Sequence, residues 1–595
     1  MKTKLGGRNL AILVALGAAA CLGNISGSPS SSGVGIGTGT GSASGSANGG
    51  SGSVGGTGSG GGSGSGAAAC APGASFAPAR LSLISDEQYR NVVRDVFGVT
   101  LPASFVVSTQ ASPSGSYPYN EGAQIVPTTV QAYLRAADQV ASSMTVMPPC
   151  TAGAVNHTCM DQYLRTSLPR AWRRPVTDQE FADLMTIFDS GAMDGVPRQI
   201  QLTVEAALIH PAFLYRSEIG TNAATATGKV TLTPYELASA VGFAMLNSAP
   251  DPTLWAKAVD GSLAQPAVLA GEVARLLTVP AAKANLTKKV SYYLDFETLR
   301  LISKDAATYP QFASLQSTLY DSSQMFLNEI MWMPSSSNPT RGRFNELFTS
   351  RRVYTNQAMS AAYGLPSVTG TALQPVTTTG DAYNAGVLTQ PALLAASSKK
   401  NAGDDEIHRG LWIYYNLLCA PPVMDPPPGA LAAAMGMKGS TIEIAHQRDT
   451  GCGFLCHGRF DPFGIVTLNY DGSGVYRTKD PTSTPPGAPI DNVAYALPDV
   501  LPGVMPNSTL MVGVASIPAV QLKGAADVAQ LFASGRQVSD CAAGTLATYT
   551  LDHSPEKEGS CQLQNLKDAF RQSQSFTDLF TSILTSPAFL TRDIE

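Results

Sequence analysis

The sequence predicts a mainly α-helical protein of several domains, set behind an export signal and a disordered tether. Three observations predict it. Amphipathic stretches with capping residues at their starts recur from residue 80 onward, residues 22–69 are nearly pure Gly, Ser, Ala and Thr, and a basic N-terminus runs into a short apolar stretch that ends at a cysteine. At 595 residues the chain exceeds what one hydrophobic core holds. The formal net charge is −5, only 14% of residues are charged, and no Lys/Arg-rich run occurs. That balance argues against nucleic acid and anionic membrane surfaces as partners.

The elements follow in order. Lys2, Lys4 and Arg8 precede the apolar stretch Leu10 to Ala20, which is too short to span a bilayer. Ala18, Ala19 and Ala20 then lead into Cys21, so residues 1–21 resemble a bacterial lipoprotein signal with Cys21 as the lipidated residue; ordinary cleavage after Ala20 is the alternative. Residues 22–79 form the linker. Its Gly/Ser tract of roughly 48 residues, as a flexible coil, spans about 35–40 Å and would hold the folded body off a membrane on a loose tether.

Helix signals begin at Ser85, which with Gln88 forms a capping box ahead of Tyr89, Val92, Val93, Val96 and Phe97, and Gly98 suits the exit. Thr177 with Glu180, and Thr233 with Glu236 behind a first-turn Pro234, repeat the pattern. LIHPAFLYRSE (208–218) and LTSPAFLTRDIE (584–595) share Pro-Ala-Phe-Leu-x-Arg, and proline disfavours helix in the residue before it. Both therefore read as helix ends that turn a phenylalanine into a core. Arg173-Arg174-Pro175 reads as a turn fixed by ion pairs, Asp404-Asp405 as solvated loop charge, and Trp255 and Trp332 as core. CAPPVMDPPPG (419–429) reads as an extended proline spacer, and residues 478–520 as a long loop or a few short strands. The expected divisions are 80–148, 149–222, 223–372, 373–480, 481–520 as a linker, and 521–595, the first three and the last helical.

Export makes disulfides the default for the other cysteines. Cys150 with Cys159, and Cys541 with Cys561, each close a short loop, leaving Cys70, Cys419, Cys452 and Cys456. The last two stand in GCGFLCHGRFDPFG as Cys452-x-x-x-Cys456-His457, one residue longer than the C-x-x-C-H run that attaches a c-type haem. Such an attachment needs two thiols on one side of a helical turn and an imidazole under the iron, and positions i and i+4 still share a face. A haem would leave Cys70 and Cys419 to pair with each other. A bridge from Cys419 to Cys452 or Cys456, with His457 bonded in the Asp461-Pro462 turn, is the structural alternative. A zinc site is a third, weakened by the lack of a second cysteine pair. For a haem, His457 is the axial ligand, His446, Met435 and Met437 are candidates for the sixth position, and Arg459 and Arg477 suit the propionates. No H-E-x-x-H, phosphate-cradling loop or, outside the Gly/Ser tether, G-x-S-x-G occurs.

The succession LSLISDEQYRNVVRDVFG, RAWRRPVTDQEF, LTPYELASAVGFAMLNSAPDPTLWAKAVDGSL, GVLTQPALLA, IHRGLWIYYNLLCAPPVMDPPP and CHGRFDPFGIVTLNYDGSGVYR resembles an exported multidomain family of planctomycete and myxobacterial type. That family is built from domains of unknown function and associated with cytochrome-c-like domains. The resemblance implies a cytochrome-c-like Cys/His domain over 373–480 and an envelope or surface location, with no settled reaction. Its usual C-x-x-C-H is here lengthened by one residue. The leading expectation is therefore an exported, lipid-anchored redox or electron-transfer protein of the outer membrane, periplasm or cell surface, with one c-type haem and a cytochrome as redox partner. The alternative is a non-catalytic, disulfide-stabilised binding or scaffold protein that docks a surface polymer or a cytochrome.

Overall fold

The computed structural model describes residues 77–102, 105, 117–118, 127–144, 155–221, 228–333, 342–398, 405–423, 437–448, 457–480, 486–496, 520–553 and 561–594. Cys21, Cys70, Cys150, Met435, Cys452 and Cys456, and nearly all of the tether, lie outside them. The architecture is mainly α. Helices carry the core, and the described strands pair only in twos.

Local capping chemistry sets the helix starts. Helix α1 (Asp86–Phe97) opens on Ser85, whose hydroxyl accepts from Gln88 N while the Gln88 side chain accepts from Ser85 N, and it buries Tyr89, Val92, Val93 and Phe97. Gly98 closes it in the left-handed region. Helix α2 (His157–Trp172) is capped by Asn156. Helices α3 (Asp178–Ser190) and α5 (Pro234–Leu246) carry the Thr177/Glu180 and Thr233/Glu236 boxes, with α4 (Val196–Ile209) between them. Glu180 also takes Arg174, which fixes the turn as expected. Arg173 behaves differently: it is buried and donates to the carbonyls of Ala171, Ala212, Phe213 and Tyr215 rather than to an acid.

The Pro-Ala-Phe-Leu-x-Arg echo is structural. Pro211–Leu214 and Pro587–Leu590 each form one helical turn, capped by His210 Nδ1 and Ser586 Oγ, and each buries its phenylalanine, Phe213 or Phe589. Each turn then feeds a strand. β1 (Arg80–Leu83) pairs antiparallel with β2 (Tyr215–Glu218), and β3 (Lys229–Thr231) with β4 (Thr591–Asp593). Bridges between Pro78 and Asp593 and between Thr221 and Thr231 join the two ribbons. At the junction Glu218 receives Arg592 Nε at 2.8 Å and Arg80 Nε at 3.2 Å, so the first and last described strands share one buried ion cluster.

A continuous apolar core runs from Leu232 to Phe589. Its long helix α6 (Phe312–Trp332) buries Phe326, Leu327 and Ile330 completely, with Trp255 and Trp332 packed at the core's edge. Helix α7 (Asp405–Trp412) passes into a π-turn over Ile413–Leu417. Helix α9 (His457–Ile465) packs against α7 and against α8 (Thr441–Arg448). Short ribbons (Lys479–Asp480 with Ala488–Pro489, and Ala494–Ala496 with Val520–Leu522) follow, then α10 (Arg536–Leu551) and α11 (Cys561–Ser573). Among the described residues no helix is long and apolar enough to cross a membrane.

The cysteines correct two expectations. Cys541 pairs with Cys419, 122 residues away, and not with Cys561. Cys541 lies on the buried face of α10, where it meets the residues after the π-turn, whereas Cys561 starts the following helix. The same bond removes Cys419 as a partner for Cys70, Cys452 or Cys456. Cys159 and Cys561 are also disulfide-bonded.

Candidate functional site

The segment singled out in the sequence sits on three helices held together by buried charge. α7 and α9 approach through reciprocal glycines. A Cβ on Gly464 would lie 1.8 Å from the Glu406 carbonyl oxygen, and one on Gly410 2.3 Å from that of Phe460. Only glycine allows that approach. The Asp461-Pro462-Phe463-Gly464 run, expected as a turn, is therefore the interior of α9, and its Asp461 faces inward.

His457 is the first residue of α9, with a side chain 29% exposed and a ring 5.0 Å from that of Phe460. Its Nδ1 lies 3.1 Å from Asp461 Oδ2, one helical turn on. Asp461 is fully buried and also receives Arg448 Nε at 3.3 Å; the same guanidinium donates through Nη2 to Glu406 Oε1 at 2.7 Å. Glu406 is 1% exposed, and burial pushes its carboxyl above the usual range even with Arg448 beside it. One arginine thus spans two carboxylates, and Glu406 Oε2 and Asp461 Oδ1 are buried with no hydrogen-bond partner among the described residues.

A second buried cation organises the following loop. Arg409, pulled below its usual range by burial, donates to the carbonyls of Tyr470, Thr467, Leu394 and Asp471. Asp471 Oδ1 in turn accepts from Ser473 N, Ser473 Oγ and Val475 N. The Asn469–Arg477 loop therefore winds around an arginine from α7. Asp405, expected as solvated charge, is instead buried in the first turn of α7.

The predicted residues fall as follows. Arg477 is half-buried, with Nε on Leu468 O at 3.3 Å and its backbone closing on Asn469. Arg459 is half-buried on α9, His446 is exposed on α8, and Met437 is half-buried ahead of α8. The structure brings together His457, Asp461, Arg448 and Glu406, of which sequence reasoning had singled out His457 as a ligand and Asp461 only as a turn residue. Among the described residues no three His, Cys, Asp or Glu side chains are placed to hold a metal ion.

Chemically, an ionised Asp461 makes Nδ1 of His457 the protonated nitrogen and leaves the Nε2 lone pair for a metal or a proton. That donor arrangement suits the axial position of a haem.

Family models match in this order: protein of unknown function DUF1595 over residues 159–218, DUF1592 over 232–365, and DUF1588 over 384–480. The chain carries three of the planctomycete cytochrome-c-associated domains of unknown function. The DUF1588 match contains α7, α8, α9 and the Arg409-centred loop, and hence the whole His457 cluster. The DUF1595 match ends at Glu218, in the strand closed by the first Pro-Ala-Phe-Leu-x-Arg copy. Comparison with curated proteins and with solved structures returns no match.

Proposed function

We propose that this chain is an exported electron-transfer protein carrying one c-type haem, attached at Cys452 and Cys456, with His457 as the axial ligand. The observation that carries the reading is the His457 Nδ1 to Asp461 Oδ2 contact, which orients the ring and makes Nε2 the available donor. Two further points support it. The DUF1588 match, of cytochrome-c-associated type, covers this segment. And Cys419, the partner that the structural alternative assigned to Cys452 or Cys456, is bonded to Cys541.

When bound, the haem supplies one-electron chemistry. This chain's own residues then do the following. Asp461 orients the imidazole through Nδ1, and Arg448 holds Asp461 in place. Arg477 commits its Nε to a carbonyl and offers its terminal nitrogens to a propionate. Met435, Met437 or His446 would supply a second ligand to the iron in a closed electron carrier. Cys21, lipidated, anchors the tether at the cell envelope, and a cytochrome is the redox partner.

The test is expression of the full chain in a host with cytochrome c maturation. A red protein with a Soret band and a mass about one haem heavier is expected, and His457→Ala alters the spectrum while the haem stays attached. The apo mass after correct maturation overturns the reading and leaves a disulfide-stabilised binding protein of the cell surface.

A further inference from the structure

The Cys419–Cys541 bond differs from a plain staple in three ways. Cys419 is an exposed residue, whereas Cys541 is buried, so an attacking thiol approaches the bond from the Cys419 side. The Cys419 backbone sits at φ 44°, a left-handed conformation that costs a side-chain-bearing residue energy, two residues after the π-turn Ile413–Leu417. And each sulfur already has an oxygen beside it: Thr545 Oγ1 is 3.8 Å from Cys419 Sγ, and the Asn416 carbonyl is 3.3 Å from Cys541 Sγ. In the disulfide these oxygens receive no proton from sulfur. In the dithiol both become hydrogen-bond partners. A reduced form that gains two hydrogen bonds is stabilised against its disulfide, the condition under which a disulfide becomes readily reducible.

We infer that Cys419–Cys541 is a reversible thiol–disulfide exchange site, reduced by a dithiol donor of the Cys-x-x-Cys class. The donor's thiolate attacks the exposed Cys419 Sγ, forming a mixed disulfide as the Cys419–Cys541 bond breaks. Cys541 leaves with the electron pair, takes a proton and donates it to Asn416 O. The donor's second thiol then attacks its own sulfur in the mixed disulfide, releasing the Cys419 thiol. Two electrons and two protons pass to the chain, and the donor leaves as its disulfide. The exchange ties or frees the end of α7, whose π-turn places Tyr414 against Phe460, the ring beside His457. The inference stands apart from the haem reading, because neither cysteine belongs to the proposed attachment.

The test uses the folded full chain and dithiothreitol as the probe. After equilibration at graded concentrations, thiols are trapped by acid and alkylated in denaturant, and peptides carrying Cys419, Cys541, Cys159 and Cys561 are quantified. Cys419 and Cys541 are expected to label together at a concentration at least tenfold below that for Cys159 and Cys561, with the helical circular dichroism intact. Labelling of all four together, only as the helical signal collapses, overturns the proposal. In a second arm Thr545→Val, which removes the partner of the Cys419 thiol, raises the required dithiothreitol by about threefold to fivefold, the weight of one hydrogen bond; an unchanged requirement overturns the proposal as well.

Discussion

Replacing Arg448 by Met strips the one Lys or Arg that, among the described residues, contacts two carboxylates that are 1% and 0% exposed, Glu406 and Asp461. Asp461 keeps His457; Glu406 keeps no cation in contact. Breaking a buried pair by removing one partner costs about 3–5 kcal/mol. A ceiling comes from neutralisation: holding a carboxyl of ordinary pKa about 4.3 protonated at pH 7 costs about 1.36 × 2.7, or about 3.7 kcal/mol. The expected loss at pH 7 is therefore about 3–4 kcal/mol. The sign with pH follows from the direction of the shift. Burial already raises Glu406, and the variant raises it further. The folded form then holds a proton that the unfolded chain releases above about pH 4.3, so stability falls as pH rises through that range. At pH 5 the neutralisation cost is only about 1 kcal/mol. Urea unfolding at pH 5 and pH 8, followed by fluorescence of the buried Trp412 on α7, measures both numbers. A loss below about 1 kcal/mol at pH 7, or equal losses at the two pH values, refutes the account of the cluster. Recovery in the triple variant R448M/E406Q/D461N is the positive control.

Gly464→Ala places a methyl 1.8 Å from the Glu406 carbonyl and is expected to lower stability by about 3 kcal/mol or more, read as a drop in melting temperature; a neutral substitution shows that α7 and α9 are not in close contact. Arg592→Met leaves buried Glu218 with Arg80 as its closest cation and costs about 3 kcal/mol, with proteolysis of the last strand as the local readout. Lys289, whose Nζ donates to Tyr117 OH and Tyr549 O, is lowered to about 8 by burial, so the unfolded chain binds the extra proton above that pH. Stability from this group should rise between about pH 8 and pH 10, and Lys289→Met should remove that part of the slope.

What was legible in the sequence is what short-range chemistry encodes. Ser85/Gln88, Thr177/Glu180 and Thr233/Glu236 lie three residues apart, and each box forms as its spacing dictates. The repeated Pro-Ala-Phe-Leu-x-Arg carries its own cap, turn and buried ring, so its role in packing could be read without a partner in view. The missed features are set by distance along the chain. Arg448 is 42 residues from Glu406, and a lone Glu or Arg on a helix reads as solvated until the opposing helix is known. Asp405 failed in the same way. For the cysteines, nearness in sequence favoured Cys541 with Cys561, but Cys541 belongs to the buried face of a continuous helix, and the sulfur across from that face comes from residue 419. Two glycines were a readable signal that went unused: His-Arg-Gly in α7 and Asp-Pro-Phe-Gly in α9 each place a residue without a side chain where another backbone passes.

The histidine gains its meaning from that scaffold rather than from its own neighbours in sequence. An imidazole at the first turn of a helix, nearly a third exposed, is free to rotate unless something holds one nitrogen. Asp461 does so from one turn along, and a buried carboxylate persists as an anion only with a cation beside it, which Arg448 supplies from another helix. The second carboxylate on that arginine is what the orientation of His457 alone does not require. Two buried carboxylates meet one guanidinium there, and negative charge beside the imidazole favours whatever positive charge Nε2 meets. A histidine that served only to close a loop would need neither Glu406 nor the reciprocal glycines that bring its helix against α7.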